Sequence, residues 1–421
     1  MLAPPVAGSM YDFDKVTPRT GTDSEKWDDC NPDVLPMWIA DMDFPVAPFI
    51  IDAIQRKVDL GVFGYPMIPD RWFDAYVGWW QRRHGFTMKK EWLFFANGVV
   101  PAIASAMKVL TSPGDKVVVM SPVYNSFFRT ISENGRVPFE SRLDYTYGDY
   151  ALNLDDLRKK LEDPRSTMLI LCNPHNPIGK VWDADTLRLI ADIAWENGVV
   201  VIADEIHCEH TDPGVEYTPF ASVSDHAREN CIMCVSPTKA FNMAGLKTAA
   251  VCIPNDHLRD RVATAVAVDW NSDPNVFAVD AAVAAYTHGD QWIDEFREYI
   301  HGNRLFATEF IESNMPELTV THGNATYLMW IGFPYLPSSG ERLSDFFERE
   351  SRLFLSNGGT FGTGGETFLR LNLACPRSTL EEGLGRLLSG CRKLSYRHTP
   401  TPVLMDNRNA GLPRYNDEVK Q

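Results

Sequence analysis

The sequence predicts an α/β protein of two domains, the larger built on a mostly parallel central sheet and the smaller of α+β type. Three observations predict it. Between residues 94 and 253, short apolar runs rich in Val, Ile and Cys alternate with segments of helical periodicity. That alternation marks strands joined by helices, which cover both faces of a sheet and turn its strands into continuous apolar runs. Beyond residue 256 the texture becomes helical and then mixed, and 421 residues suffice for two cores.

Residues 1–35, rich in Asp, Pro, Gly and Thr, read as an extended arm, and residues 1–47 together as that arm and the start of the smaller domain. The larger domain is expected over 48–290 and the rest of the smaller one over 291–395. A tail over 396–421 has little to pack and is expected to be disordered or to lie along the surface. Within the arm, Met37-Trp-Ile-Ala-Asp-Met-Asp-Phe-Pro45 is unusually apolar for a loop and is expected to be packed. Pro48 opens a helix with Ile51, Ile54 and Val58 at helical spacing. Phe63-Gly-Tyr-Pro66 reads as a turn presenting an aromatic ring, and Asp70 as the cap of a second helix ended near Gly85.

Phe94-Phe-Ala-Asn-Gly98 runs from a strand through a turn into a helix over 99–110. Further strands are expected at 116–120, 167–172, 199–203, 231–235 and 248–253, with helices at 125–134 and 184–196. A helix over 257–268 follows, and residues 275–315 are expected to include a long helix linking the domains. Strands at 318–320, 327–331 and 368–373 and helices at 343–349 and 379–391 complete the smaller domain. No internal repeat is present.

A formal charge of −16 with no basic tract argues against nucleic-acid binding. No uninterrupted apolar stretch is long enough to cross a bilayer, and the first ten residues lack the pattern of a secretory signal. The cytoplasm is the expected location. The eight cysteines do not make a disulfide scaffold. Cys172, Cys231 and Cys252 lie in strand-like runs, and Cys231-Ile-Met-Cys234 has no second such pair. Asp204-Glu-Ile-His-Cys-Glu-His210 puts His207, Cys208 and His210 together but without a zinc-peptidase spacing, so no metal is expected.

Ser236-Pro-Thr-Lys-Ala-Phe-Asn-Met-Ala-Gly-Leu246 places Lys239 just beyond the 231–235 strand, among small residues, where an amine is held rigidly enough for covalent work. Read alone, Lys239 is more often an ordinary loop lysine. Gly98-Val-Val opens a helix whose free N–H groups suit a phosphate, or Gly98 simply makes a tight turn. Asp204 ends the apolar run Val200-Val-Ile-Ala, where a carboxylate calls for a cation, a cap or a salt bridge. Cys172-Asn-Pro-His-Asn-Pro-Ile-Gly179 ends another strand in a proline-stiffened polar loop.

Taken together and in this order, these motifs and Arg370-Leu-Asn-Leu-Ala-Cys-Pro376 resemble the fold-type-I enzymes of pyridoxal 5′-phosphate (PLP). More narrowly they resemble the cystathionine β-lyase branch, related to the class I and II aminotransferases. Met37-Trp-Ile-Ala-Asp-Met-Asp-Phe44 and Gly98-Val-Val-Pro-Ala102 favour that branch. The resemblance implies a PLP cofactor held by Lys239, which also removes the substrate α-proton. It implies that Asp204 pairs with the pyridine N–H, that Asn173 bonds to the ring's phenolic oxygen and that His207 lies near the ring. Tyr124 would stack on the pyridine, making Lys239, Asp204 and Tyr124 the catalytic set. Gly98, Val99, Ser236 and Thr238 would line the phosphate, with Lys247 where many aminotransferases place an arginine. Tyr65 would reach the phosphate of the neighbouring subunit, implying a homodimer with shared active sites. Arg370 would clamp the substrate α-carboxylate, and Asp43 would stand on the substrate side. The glycine-rich stretch 358–365 would be a mobile substrate loop.

The implied activity is carbon–sulfur β-elimination on L-cystathionine or a cysteine S-conjugate, giving a thiol, pyruvate and ammonia. An aminotransferase on the same site is the alternative, and a regulatory role on a PLP-binding scaffold is an alternative of another class.

Overall fold

In the computed structural model, which describes residues 10–334 and 341–394, the larger domain is built on a seven-stranded sheet. Its strands lie side by side in the order Leu93–Ala96, Ala249–Cys252, Cys231–Val235, Val200–Asp204, Ser166–Cys172, Lys116–Ser121 and Val137–Arg142. Neighbours are parallel except where Ala249–Cys252 runs antiparallel to both of its partners. Side chains alternate between two cores. Met168, Ile170, Ile202 and Ile232 face one, while Leu169, Leu171, Val201 and Met233 face the other. Burial on both faces is what makes these strands continuous apolar runs.

The smaller domain carries an antiparallel sheet in the order Thr319–Val320, Leu328–Gly332, Phe368–Asn372, Ser356–Asn357. Its core is completed by helices Leu343–Ser351 and Arg377–Lys393 and by Leu35 and Met37 from the arm. The 25-residue helix Asp290–Asn314 joins the domains. Trp292, Phe296 and Ile300 sit in the core of the larger domain, and Ala307 and Ile311 in that of the smaller.

The structure departs from expectation at several places. The helix Pro48–Leu60 forms, but it turns Ile50 and Ala53 inward and leaves Ile51 and Val58 51% and 44% exposed. Both sides of this helix are apolar, so periodicity did not say which side meets the body of the domain. Leu60, Val62, Phe63, Tyr65 and Met67 extend the outward apolar strip. Asp70 does not cap the helix Asp70–His84; Pro69 occupies that position, and Asp70 sits in the first turn, where its charge faces the positive end of the helix dipole. Residues 275–315 divide into Ala278–His288 and Asp290–Asn314 at Gly289, where a Cβ would lie 2.4 Å from the Phe241 ring. The strand Val137–Arg142 escaped notice because it is an edge strand, mostly half-buried, and lacks an apolar run. The tail and the first nine residues of the arm lie outside the described residues.

Far from forming an open loop, the glycine-rich stretch is tightly packed. A Cβ on Gly358 would sit 2.1 Å from the Gly365 carbonyl oxygen, and one on Gly365 would sit 2.1 Å from that of Gly358. Gly362 adopts φ +95° with Phe128 and Glu140 against it. Glycine is therefore required at 358 and 365 by contact, and at 362 by contact and by its positive φ together. Gly365→Ala is expected to destabilise the protein by roughly 2–4 kcal/mol, because backbone and not a side-chain tip must move; urea unfolding against wild type measures it.

Candidate active site

The parallel strands deliver their C-terminal ends to one cavity of about 420 Å³. Asp204, the last residue of its strand, is buried and lines this cavity. Burial pushes its carboxyl up to about 7, against the Ile206 N–H bond and the charge of Lys239. A buried carboxylate so placed asks for a cationic partner.

Lys239 stands across from it on the short helix Pro237–Ala240, which Ser236 caps by accepting the Thr238 N–H. Its Nζ donates to the Ala40 carbonyl at 2.6 Å. Burial lowers the ammonium to about 8, with Asp41 pulling back up, Arg370 down, Asp204 up and Lys247 down. A lysine so depressed has a useful neutral fraction near neutrality.

Arg370 comes from the smaller domain's sheet and is 4% exposed. Its Nη1 donates to Asn176 Oδ1 at 3.0 Å, and its Nη2 to the Trp38 carbonyl at 2.9 Å and Ser356 Oγ at 3.2 Å. Its Nε is buried without a partner, and the guanidinium lies over the Phe361 ring at 4.8 Å. No carboxylate among the described residues pairs with it. Burial draws its pKa down to about 10, partly offset by Tyr124 and Tyr327. A buried guanidinium without a counter-ion is costly unless a ligand carboxylate supplies one.

At another part of the cavity wall, the helix Val99–Leu110 begins, and Gly98, Val99 and Val100 line the space. The first N–H groups of a helix have no partner within it, and Pro101 brings none. Thr238 and the exposed Lys247 complete this end. Tyr124, at the start of the helix Asn125–Glu133, puts its ring on the cavity wall, edge-on to Phe127. His207 also lines it, with Nδ1 3.2 Å from Nδ1 of His210. Burial drives both imidazoles down, His210 to about 3, which keeps the pair neutral.

Three expected residues are placed otherwise. Asn173 is fully buried, and its amide donates to the Thr218 carbonyl and accepts from the Trp182 N–H, so it serves the loop. Asn176, three residues on in the same motif, faces the cavity and holds Arg370. The Ser236 hydroxyl donates to the Thr248 carbonyl at 2.6 Å, leaving Thr238 to reach the cavity. Asp43 is buried in an ion cluster with Lys26 at 2.7 Å, Arg19 at 3.2 Å and the Trp27 indole N–H at 2.8 Å, away from the cavity. Tyr65 is fully exposed and does not line its own chain's cavity. The 204–210 segment also splits: His207 and His210 face each other, whereas Cys208 turns to Glu209 and His84. Sequence reasoning gave no site role to Asn176, Trp38 or the Ala40 carbonyl, although the first stands in the polar loop 172–179 and the other two in the packed stretch 37–45.

The residues fit PLP. Helix N–H groups with Thr238 and Lys247 suit its phosphate, Asp204 its protonated ring nitrogen, Tyr124 its face and Lys239 its aldehyde.

Comparison with known proteins agrees with this geometry. Residues 33–387 match the family described as aminotransferase class I and II. The chain belongs to that family. Cystathionine beta-lyase PatB of Bacillus subtilis (strain 168) is 39% identical over 380 residues, covering 89% of this chain and 98% of that protein. Protein MalY of Escherichia coli (strain K12) is 32% identical over 390 residues, 91% of this chain and 99% of that protein. The crystal structure of cystalysin from Treponema denticola, which contains a pyridoxal 5′-phosphate cofactor, superposes with a TM-score of 0.87 at 30% identity, covering 92% of this chain and all of that one. Within the family the chain is a PLP-dependent fold-type-I enzyme related to the cystathionine β-lyase branch. No helix among the described residues is long and apolar enough to cross a membrane.

The lowered Lys239 pKa sets a pH dependence. Raising the pH through about 8 turns the ammonium into the reactive amine. Uptake of PLP by cofactor-free protein, trapped at Lys239 with borohydride and counted by mass spectrometry, is expected to quicken roughly tenfold per pH unit below that value and to level off above it.

Proposed function

We propose that this enzyme is a PLP-dependent carbon–sulfur β-lyase acting on L-cystathionine or another cysteine S-conjugate. The observation that carries the reading is the buried Arg370, with no carboxylate partner among the described residues, lining one cavity with the Lys239 amine. The naming of PatB as a cystathionine β-lyase supports the choice within the family. Bound PLP supplies an electron sink for the charge that develops at the substrate α-carbon.

The chain's own residues do the rest. Arg370 receives the α-carboxylate in charge-assisted hydrogen bonds, its direction fixed by Asn176 and the Trp38 carbonyl. That grip points the α C–H toward Lys239, whose neutral Nζ takes the proton. The electron pair so released breaks the bond from the β-carbon to sulfur, and the thiolate departs. Water then removes the nitrogen of the remaining three-carbon fragment as ammonia and leaves pyruvate. With PLP bound, Asp204 would keep a proton on the ring nitrogen, Tyr124 would support the ring face, and Asn176, which lines the cavity where Asn173 does not, would be the amide available to the ring oxygen. Gly98, Val99, Thr238 and Lys247 would hold the phosphate.

The outward strip of Ile51, Val58, Leu60, Val62 and Phe63 supports a homodimer in which Tyr65 reaches the other subunit's phosphate. Sedimentation is expected to give a dimer, and the pair of changes Leu60→Asp and Val62→Asp is expected to give monomers that release PLP on dilution.

PLP-loaded protein given L-cystathionine with no 2-oxo acid is expected to release thiol and pyruvate in equal, catalytic amounts. Arg370→Ala should lower kcat/KM on the order of a hundredfold, with Arg370→Lys intermediate. Pyridoxamine phosphate accumulating without thiol release would point instead to an aminotransferase.

A further inference from the structure

The cavity extends outward beyond the groups assigned to cofactor and amino-acid head, and its outer wall includes Glu25 and Trp38. Trp38 accepts a hydrogen bond from Arg370 at its backbone carbonyl, stacks its indole on Phe354 at 5.1 Å, and lines the same cavity as Arg370. Its indole N–H is buried and has no acceptor among the described residues.

Glu25 is the first residue of the short helix Glu25–Asp28. The helix is pinned from behind. Lys26, 1% exposed, donates to the Asp41 carbonyl at 3.0 Å and pairs with Asp43, and the Trp27 indole N–H donates to the same carboxylate. A buried lysine is expensive, and fixing this helix against the cavity gives that ion cluster a purpose. Glu25 itself is exposed toward the open end and makes no hydrogen bond or ion pair among the described residues. The residues lining the cavity thus include one with an uncommitted carboxylate and one whose indole N–H is buried and uncommitted.

Resting on the lyase reading above, we infer that Glu25 and Trp38 select the S-substituent of the substrate, favouring one that carries a cationic group for Glu25 and a hydrogen-bond acceptor for the Trp38 indole. A neutral S-alkyl chain of the same length fills the space but leaves both groups unmatched. Specificity arises from the polar match, since a site whose free polar groups are paired by the substrate disfavours the analogue that leaves them unpaired. L-Cystathionine, with an ammonium and a carboxylate at its far end, satisfies both.

The test compares S-(2-aminoethyl)-L-cysteine with S-propyl-L-cysteine, which differ by an ammonium in place of a methyl group. Wild-type holoenzyme is expected to favour the aminoethyl conjugate in kcat/KM. Glu25→Gln should cut that preference roughly three- to fivefold, the range of a solvent-screened ion pair, and leave turnover of the propyl conjugate unchanged. Added salt should erode the preference in wild type and not in the variant. Trp38→Phe, which keeps the stack on Phe354, should raise KM for L-cystathionine more than for the propyl conjugate. A ratio near one in wild type, or a ratio indifferent to Glu25→Gln while both conjugates still turn over, would overturn the inference and leave the lyase reading standing. No turnover of any conjugate by wild type would defeat both.

Discussion

The site depends on a row of backbone carbonyls in the irregular stretch 38–42. Four of them each receive a cation: Trp38 takes Arg370, Ala40 takes Lys239, Asp41 takes Lys26 and Met42 takes Arg19. Ile39 takes the amide of Asn372, and Tyr327 adds its hydroxyl to Ala40 at 3.2 Å. Buried positive groups must find acceptors. Carbonyls provide them without titrating and without cancelling the charge, as a carboxylate would. Arg370 and Lys239 are held in place yet remain available to a ligand. A stretch whose carbonyls are committed in this way cannot spend them on a helix or a sheet, which explains how it is both packed and irregular.

The fold was legible wherever burial is two-sided. The strand at 231–235 and the helix at 184–196 appear with the expected bounds, because an interior strand must be apolar throughout and an amphipathic helix must keep its period. Legibility failed at surfaces. The edge strand Val137–Arg142 has one weakly buried face, and the helix Pro48–Leu60 has two apolar sides, so composition could not say which faces inward. In the site, Asp204, Lys239 and Arg370 were readable only together, through the ordered motifs that carry the family resemblance, since each read singly has an ordinary alternative as a cap, a loop lysine or a strand-end arginine. The choice between Asn173 and Asn176, or Ser236 and Thr238, was not readable. Each pair shares a motif, and only the course of the turn decides which side chain serves the backbone and which reaches the cavity.

Charge is sorted across the cavity. Asp204 is carried by a central strand, Arg370 by the other domain's sheet, and the open helix end by the first strand–helix unit. The buried imidazoles of His207 and His210 stay neutral and add no field of their own. The glycine pair Gly358 and Gly365 brings Phe361 under the Arg370 guanidinium, and the Phe361 carbonyl receives the Val123 N–H, next to Tyr124. The close glycine packing therefore couples the carboxylate end of the cavity to the ring that lines its wall.

The carbonyl row also has a consequence for how the protein is made. Its bonds reach across 199 residues to Lys239 and 332 residues to Arg370. Contacts of such sequence separation must wait for the chain to close large loops, and they form late. During synthesis the sheet of the larger domain has all its strands once residue 252 has emerged, yet the carbonyls of residues 38–42 stay partly unclaimed until the strand Phe368–Asn372 arrives. The amine and the guanidinium are thereby brought into register only in the nearly finished chain, so a partly synthesised one has little means of engaging a cofactor and a substrate together.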